Sequence, residues 1–300
     1  MQTLLSLSND LAGAVERAGG AVVGVHGRQR LPSTGVHWRP GLVVTAAHTV
    51  ELEEGIAIAL PDGTSRPATL AGRDAGTDLA VLRVDGAGIP CAEWADGDAV
   101  KVGHLVLALG AGPSASLGVI SAVGGAWNTL RGGRIDRFLR LDLTMYPGFS
   151  GGPLIDTEGR VIGINTSGLA RSLRLAIPGA TVARVAEELA SRGRVARGYL
   201  GVGMQPVRLP EADRRAAATA AEHALIVVHV DPDGPGARAG LLLGDVLIAL
   251  DGAPLAEPAD VQAHLSTRRP GDVVRVALLR AGRPAEASVT LGERPPGRRR

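Results

Sequence analysis

One cysteine in a chain of 300 residues, Cys91, excludes an intrachain disulfide framework, and nothing beside it marks a reactive thiol. Aromatic residues make up only 2% of the chain, too few to build base-stacking surfaces, and the net charge of +2 is small. Nucleic acid is therefore not an expected partner. No run approaches the ~20 consecutive apolar residues of a membrane-crossing helix, so no membrane span is expected. His26, His37, His104, His223, His229 and His264 show no metal-ligand spacing with Cys91 or with one another. Phosphate loops and nucleotide signatures are also missing. No metal and no cofactor is implied.

What is present points to a folded, strand-rich chain. The 45% apolar content excludes a disordered chain, and the length suits two domains with sizeable cores. Through the first 180 residues glycine is abundant and helical periodicity sparse, which reads as short strands and turns. The patterning predicts strands over 21–26, 42–45, 56–60, 79–84, 105–109, 140–143 and 161–165. Ser8 to Arg17 reads as a capped, amphipathic opening helix. Val182, Val185, Ala186 and Leu189 fall on one helical face, with Thr181 as a cap, and predict a closing helix. A basic, Gly-containing linker follows. The second unit carries an Ala-rich helical stretch, strands over 225–230, 273–279 and 287–291, and a short helix over 259–266. The Arg-rich end beyond Pro295-Pro296-Gly297 reads as a solvated tail.

Three motifs carry chemistry. In Tyr146-Pro147-Gly148-Phe149-Ser150-Gly151-Gly152-Pro153-Leu154 a serine sits on a tight, glycine-walled turn. Glycines there give a substrate carbonyl room to approach, and the N–H groups of Gly148 and Ser150 can converge where an oxyanion would form, with the N–H of Phe149 as a further donor. A serine hydroxyl needs a base, and Val43-Val44-Thr45-Ala46-Ala47-His48 presents an imidazole at the end of an apolar strand. A third group must fix the tautomer and stabilise the imidazolium, and Asp78 stands at the mouth of the apolar strand Leu79-Ala80-Val81-Leu82-Arg83-Val84. Each motif alone has a plain structural explanation: a hairpin turn, a buried histidine, a turn-capping aspartate.

Together, His48, Asp78 and Ser150 follow the chymotrypsin-like order, and the three local sequences resemble the HtrA (high-temperature-requirement, Deg) serine proteases. The resemblance extends over nearly the whole chain, because the last third is similar to the family's PDZ domain. It implies a mostly β fold, with a chymotrypsin-like double β-barrel over 1–192 that holds His48 and Asp78 in the first barrel and Ser150 in the second. A linker over 193–198, an α+β PDZ domain over 199–293 and a basic tail over 294–300 would follow. The implied activity is ATP-independent endoproteolysis of unfolded or damaged proteins. The Tyr199-Leu200-Gly201-Val202 segment matches the family's carboxylate-binding loop, whose backbone N–H groups capture a peptide C-terminus while the peptide adds a strand to the sheet edge.

Departures from the family pattern qualify this picture. Phe149 stands where asparagine is common in the family and where trypsin-like zymogens need aspartate, so activation by propeptide cleavage is disfavoured. Tyr146 also replaces a more usual asparagine. An alternative function follows: a latent protease, its loop collapsed by Phe149 and Tyr146, that acts as a peptide-binding or chaperone-like protein. Thr144, six residues before Ser150, replaces the aspartate of enzymes that cut after Lys or Arg, so a small or medium apolar residue is expected before the cleaved bond. Ile164, Asn165 and Thr166 are the expected pocket residues, the segment 164–168 is expected to pair with the substrate backbone, and residues 170–175, including Arg171 and Arg174, are expected to form a wall. The family typically forms homotrimers through N-terminal contacts that often include aromatics, of which this chain has none before Trp38. Residues 1–7 lack a basic, apolar leader, so the chain as written reads as cytoplasmic; an exported protein stripped of its leader would look the same.

Overall fold

Short runs of valine, leucine and isoleucine alternate with small residues and close into two β-barrels. The computed structural model describes residues 2–293 except Arg30, Ala87, Pro113, Leu130 and Arg171, and the tail at 294–300 and Arg171 of the expected wall lie outside the described residues. The chain divides into two compact units, Met1–Val195 and Ala196–Arg300.

The first unit opens with helix α1 (Gln2–Gly19), six residues earlier than the Ser8 cap expected from the sequence. Ser8 lies inside the helix, where Leu4 and Leu7 continue upstream the spacing of the apolar stripe of Leu11, Ala14, Val15 and Ala18. That stripe packs on Leu107, Leu109, Ile155 and Val161, while Leu4, Leu5 and Leu7 stay exposed. Strands β1 (Val22–His26), β2 (Ser33–Arg39), β3 (Leu42–Ala46), β4 (Ile56–Ala59), β5 (Ser65–Asp74) and β6 (Leu79–Val84) form the first closed barrel in the order β1-β2-β3-β6-β5-β4. Val23, Val25, Val43, Ile58 and Leu82 fill it. Each such side chain contributes about 1.5–3 kcal/mol on burial.

The second barrel uses β7 (Leu105–Gly110), β8 (Ser114–Gly124), β11 (Phe138–Asp142), β12 (Pro153–Ile155), β13 (Val161–Thr166) and β14 (Leu175–Pro178), with the small hairpin β9 (Trp127–Asn128) and β10 (Arg134–Ile135) inserted between β8 and β11. Helix α2 (Gly179–Arg192) closes the unit and ends at Gly193 in the left-handed conformation. Its Val182, Val185 and Leu189 join Val36, Val44, Leu79 and Val81 of the first barrel and Ile164 and Ile177 of the second in one apolar cluster. The two barrels are thereby fixed against each other around the cleft. Thr181 does not cap this helix, which starts behind Pro178. Its hydroxyl instead donates to Asp136 Oδ2 and accepts the Asp136 N–H, both at 2.8 Å.

The second unit contains β15 (Gly198–Tyr199), β16 (Val202–Arg208), α3 (Glu211–Ala216), β17 (His223–Val230), α4 (Pro235–Arg238), β18 (Val246–Leu250), β19 (Ala253–Pro254), α5 (Pro258–Leu265), β20 (Val273–Arg280), β21 (Arg283–Thr290) and β22 (Gly292–Glu293). The sheet runs β16-β17-β18-β20-β21, so β16 is an outer strand. Leu225, Leu247, Leu250, Val274, Val276 and Val289 form its core. The Ala-rich stretch is helical only to Ala216, and Ala218 has φ +48. Among the described residues, no helix is long and apolar enough to cross a membrane.

Candidate active site

His48 leaves the end of β3 on a single 3-10 turn, Ala47–Thr49, and Ala46 and Ala47 are buried beneath it. Asp78 precedes β6 with φ +59, a left-handed conformation that aspartate tolerates better than most residues. This turn of the chain lets Asp78 Oδ1 accept the His48 backbone N–H at 2.9 Å while Oδ2 lies 2.8 Å from ring Nδ1. An ionised carboxylate only accepts, so Nδ1 carries the proton and Nε2 presents its lone pair to the cleft. Thr166 Oγ1 donates a further hydrogen bond to Oδ2. Asp78 is 1% exposed, and three donors therefore satisfy its buried charge.

The segment before Asp78 is fixed from two sides. Asp74 accepts the N–H groups of Gly76 and Thr77 and the Thr77 hydroxyl. From the β9–β10 hairpin, Thr129 Oγ1 donates to Gly76 O at 2.7 Å. The second barrel thus reaches across to the turn that carries the first barrel's aspartate.

Ser150 follows a type II turn over 146–149. Pro147 supplies the second residue, Gly148 the third with φ +92, and Phe149 N–H donates to Tyr146 O at 3.1 Å. Among the described residues, the N–H groups of Gly148 and Ser150 donate to no protein acceptor. They are available to an oxyanion. The N–H of Phe149 is not, which corrects its expected role as a third donor: closing the turn uses it. Thr34 ties this loop to the first barrel, its hydroxyl donating to Gly148 O at 2.7 Å and its N–H to Ser150 O at 3.3 Å.

Phe149 occupies the second barrel rather than the cleft. It is 4% exposed among Val106, Ile120, Leu139, Leu141 and Leu154, and it meets Tyr146 edge to face at 5.4 Å. Gly110 makes room for the ring, since a Cβ there would stand 2.5 Å from it. The loop expected to collapse around Phe149 is instead anchored by it.

Ser150 Oγ lies 3.0 Å from Ser167 Oγ and accepts the Ser167 N–H at 3.3 Å. Ser167 Oγ in turn lies 3.4 Å from His48 Nε2. Gly168 follows at close quarters, where a Cβ would stand 2.6 Å from His48 Nδ1 and 2.5 Å from Asp78 Oδ2. Residues 166–168 therefore touch all three of Asp78, His48 and Ser150. Sequence reading found the segment but not these contacts. Serine and threonine hydroxyls in a strand carry no spacing signal, and only the fold brings them to Asp78 and Ser150.

The expected pocket residues are distributed differently. Thr144 is exposed beside the serine loop and Arg174 is exposed on the expected wall. Ile164 is wholly buried in the cluster shared by the two barrels and α2, so its side chain is not a pocket wall. Asn165 is also buried, with its side-chain Nδ2 donating to Pro153 O at 2.8 Å and its backbone carbonyl accepting the Gly151 N–H at 2.9 Å. Thr166 spends its hydroxyl on Asp78 rather than on a pocket.

In the second unit, Leu200 is 2% exposed and part of the core, and Val202 pairs with Val230 on β16. Gly201 has φ +74, and the carbonyls of Leu200 and Gly201 accept the N–H groups of Gly236 and Asp231. Among the described residues, the N–H groups of Leu200 and Gly201 donate to no protein acceptor. Tyr199 anchors the loop through its hydroxyl, which donates to Asp231 Oδ2, while His229 Nε2 lies 3.0 Å from Oδ1. These two contacts hold the Asp231 carboxyl below its ordinary range.

Two six-stranded barrels meeting at a histidine–aspartate pair and a serine turn, followed by a peptide-binding type of α+β domain, define a chymotrypsin-like serine protease domain joined to a PDZ domain. Residues 33–164 match the trypsin-like peptidase domain and residues 198–291 the PDZ domain. A probable periplasmic serine endoprotease, DegP-like, from Halomonas elongata is 36% identical over 277 residues, covering 89% of this chain and 57% of the relative. That of Pseudomonas putida is 35% identical over 269 residues, covering 85% and 54%. Among solved structures, the serine endoprotease from Yersinia pestis is 32% identical with a TM-score of 0.73, covering 94% of this chain and 97% of that one. The HtrA-type protease AlgW with a decapeptide is 29% identical with a TM-score of 0.75, covering 96% and 99%. This chain belongs to the HtrA-type serine proteases. It spans little more than half the length of the curated relatives it matches.

Proposed function

We propose that this chain is an ATP-independent serine endopeptidase acting on unfolded or damaged proteins. The observation that carries the reading is the Asp78–His48 pair, whose Nε2 is left as the acceptor facing the cleft, beside a serine whose own N–H and that of Gly148 remain unused. In the proposed reaction Ser150 Oγ attacks the peptide carbonyl and its proton passes to His48 Nε2. Asp78 stabilises the imidazolium, and the N–H groups of Gly148 and Ser150 stabilise the oxyanion. His48 then protonates the leaving amine, and water repeats the sequence on the acyl-enzyme.

The reading extends to partners. Leu200 and Gly201 would bind a peptide C-terminal carboxylate, and the outer edge of β16 would receive the peptide as an added strand. The neutral Thr144 supports cleavage after small or medium apolar residues. Exposed Leu4, Leu5 and Leu7 on α1 supply an apolar N-terminal face for a homotrimer without aromatic contacts. The curated relatives are named periplasmic, which supports an exported location over the cytoplasmic one read from residues 1–7. The silent-protease alternative loses its support, since the turn around Gly148 is formed and Phe149 anchors it.

The test is labelling of the full chain by a fluorophosphonate together with degradation of an unfolded polypeptide. Both should occur in the absence of ATP and disappear in Ser150→Ala. A folded protein that labels nowhere and degrades nothing would overturn the reading.

A further inference from the structure

Ser167 stands between the two groups that the proposed reaction must join. Its hydroxyl lies 3.0 Å from Ser150 Oγ and 3.4 Å from His48 Nε2, and its N–H donates to Ser150 Oγ at 3.3 Å. Among the described residues, no hydrogen bond joins Ser150 Oγ to His48 Nε2. Whichever hydroxyl donates across the 3.0 Å contact, Ser150 is held by two contacts from Ser167 and by none from its base.

We propose that Ser167 is a positioning residue that parks the Ser150 hydroxyl off His48 in the substrate-free site. Ser150 must exchange partners, from Ser167 to His48, before it can attack. The physical reason is competition. Nε2 presents one lone pair in the ring plane, so it accepts one well-aligned hydroxyl at a time. A hydroxyl at the Ser167 position both occupies that approach and offers Ser150 a partner of its own. The surroundings make the competitor well placed: Thr166 is fixed by its bond to Asp78, and Gly168 N–H donates back to Thr166 Oγ1 at 2.9 Å. Ser167 is thus held on both sides by residues anchored to the histidine–aspartate pair. The inference rests on the reading of Ser150 as the nucleophile.

The experiment measures the second-order rate of fluorophosphonate labelling for the wild-type chain, Ser167→Ala, Ser167→Thr and Ser150→Ala. In labelling, the Oγ–P bond forms, the P–F bond breaks with fluoride taking the electron pair, and the Ser150 proton passes to His48. Ser167→Ala should label roughly 3- to 10-fold faster, the scale of one hydroxyl–hydroxyl hydrogen bond lost from the resting state. With a short peptide substrate the same gain should appear in kcat/KM, which is measured from the substrate-free enzyme. Ser167→Thr returns a hydroxyl and should bring the rate back toward the wild type. An unchanged rate in Ser167→Ala would make the hydroxyl a bystander, and a slower rate would make it a proton carrier; either overturns the proposal. If neither wild type nor Ser167→Ala labels while both melt cooperatively, the nucleophile reading fails, and the proposal with it. Labelling that depends on Ser150 but not on Ser167 overturns the proposal alone.

Discussion

Asp78 accepts two hydrogen bonds from a single residue: the His48 backbone N–H on Oδ1 at 2.9 Å and ring Nδ1 on Oδ2 at 2.8 Å. The arrangement fixes both the position and the tautomer of the imidazole, and it depends on an aspartate with φ +59. Asp78→Asn keeps the size and tolerates this backbone, but it loses the charge and offers an NH2 group where an acceptor is needed. Peptidase kcat/KM should fall by about 10³–10⁴-fold. Asp78→Ala should match this loss and also lower stability by about 1–2 kcal/mol, because alanine resists the left-handed region. Kinetics and thermal melting of both variants check the two effects separately.

Gly148 is the third residue of the type II turn, at φ +92, and a Cβ there would stand 3.2 Å from Pro32 O. Gly148→Ala should therefore flip or distort the turn and misdirect an oxyanion donor. Loss of one such donor is worth about 10²–10³-fold in kcat. A kcat loss of that order is the expected result, with a modest fall in melting temperature from the ~1–2 kcal/mol that alanine costs at a positive φ.

Phe149→Asn removes a ring from the second barrel and buries an amide among Val106, Ile120 and Leu139. Cavity formation and an unpaired amide should together lower stability by about 3–5 kcal/mol. Turnover should not rise, although asparagine is the commoner family residue here. Denaturant unfolding with parallel kinetics tests this. A gain in turnover would revive the collapsed-loop reading that the buried ring argues against.

These three variants also mark how much the sequence disclosed. His48, Asp78 and Ser150 each lie at the junction of a strongly apolar run and a turn, where local patterning is loud, and the strand 79–84 was legible to the residue. Strand β2 was not, because its buried positions include Ser33, Thr34 and His37, which break the apolar pattern. Thr34 is buried and polar because it serves the serine loop: its hydroxyl binds Gly148 O. Strands β5 and β8 carry a weak signal for a different reason: the first half of one faces solvent, and the apolar residues of the other are interrupted by glycine, serine and alanine. Phe149 carried a misleading local signal. A large residue in a catalytic turn suggests obstruction, and only the barrel interior beside Gly110 reveals where the ring goes.

In the PDZ unit, Asp231 is the anchor of the loop that would bind a carboxylate. It accepts the Tyr199 hydroxyl on Oδ2 and its N–H donates to Gly201 O at 2.9 Å. Asp231→Ala should release Tyr199 and loosen the Leu200–Gly201 N–H pair. Affinity for an apolar C-terminal peptide should fall roughly tenfold, the scale of one charge-assisted hydrogen bond. Fluorescence polarisation with a labelled peptide measures it, and the same peptide amidated at its C-terminus should bind neither protein.

Asp136 links the fold to pH. Burial raises its pKa, but hydrogen bonds from Arg184 and Thr181 and the charges of Arg184 and Arg134 outweigh this, so the carboxyl titrates below its ordinary value of 3.8. A folded pKa below the unfolded one means that, at a given acid pH, the native state binds fewer protons than the unfolded state. The stabilisation is fully present above the unfolded value and is lost as pH drops from 3.8 through the lower folded value. Asp136→Asn should be less stable than the wild type at neutral pH, because it cannot offer Arg184 a charge. Its stability should then decline less steeply below about pH 4, so that the two curves converge in acid. Trp38, Trp94 and Trp127 all belong to the first unit, so tryptophan fluorescence during urea unfolding follows that unit alone. Parallel curves for the two proteins through the acid range would show that Asp136 does not carry the linkage.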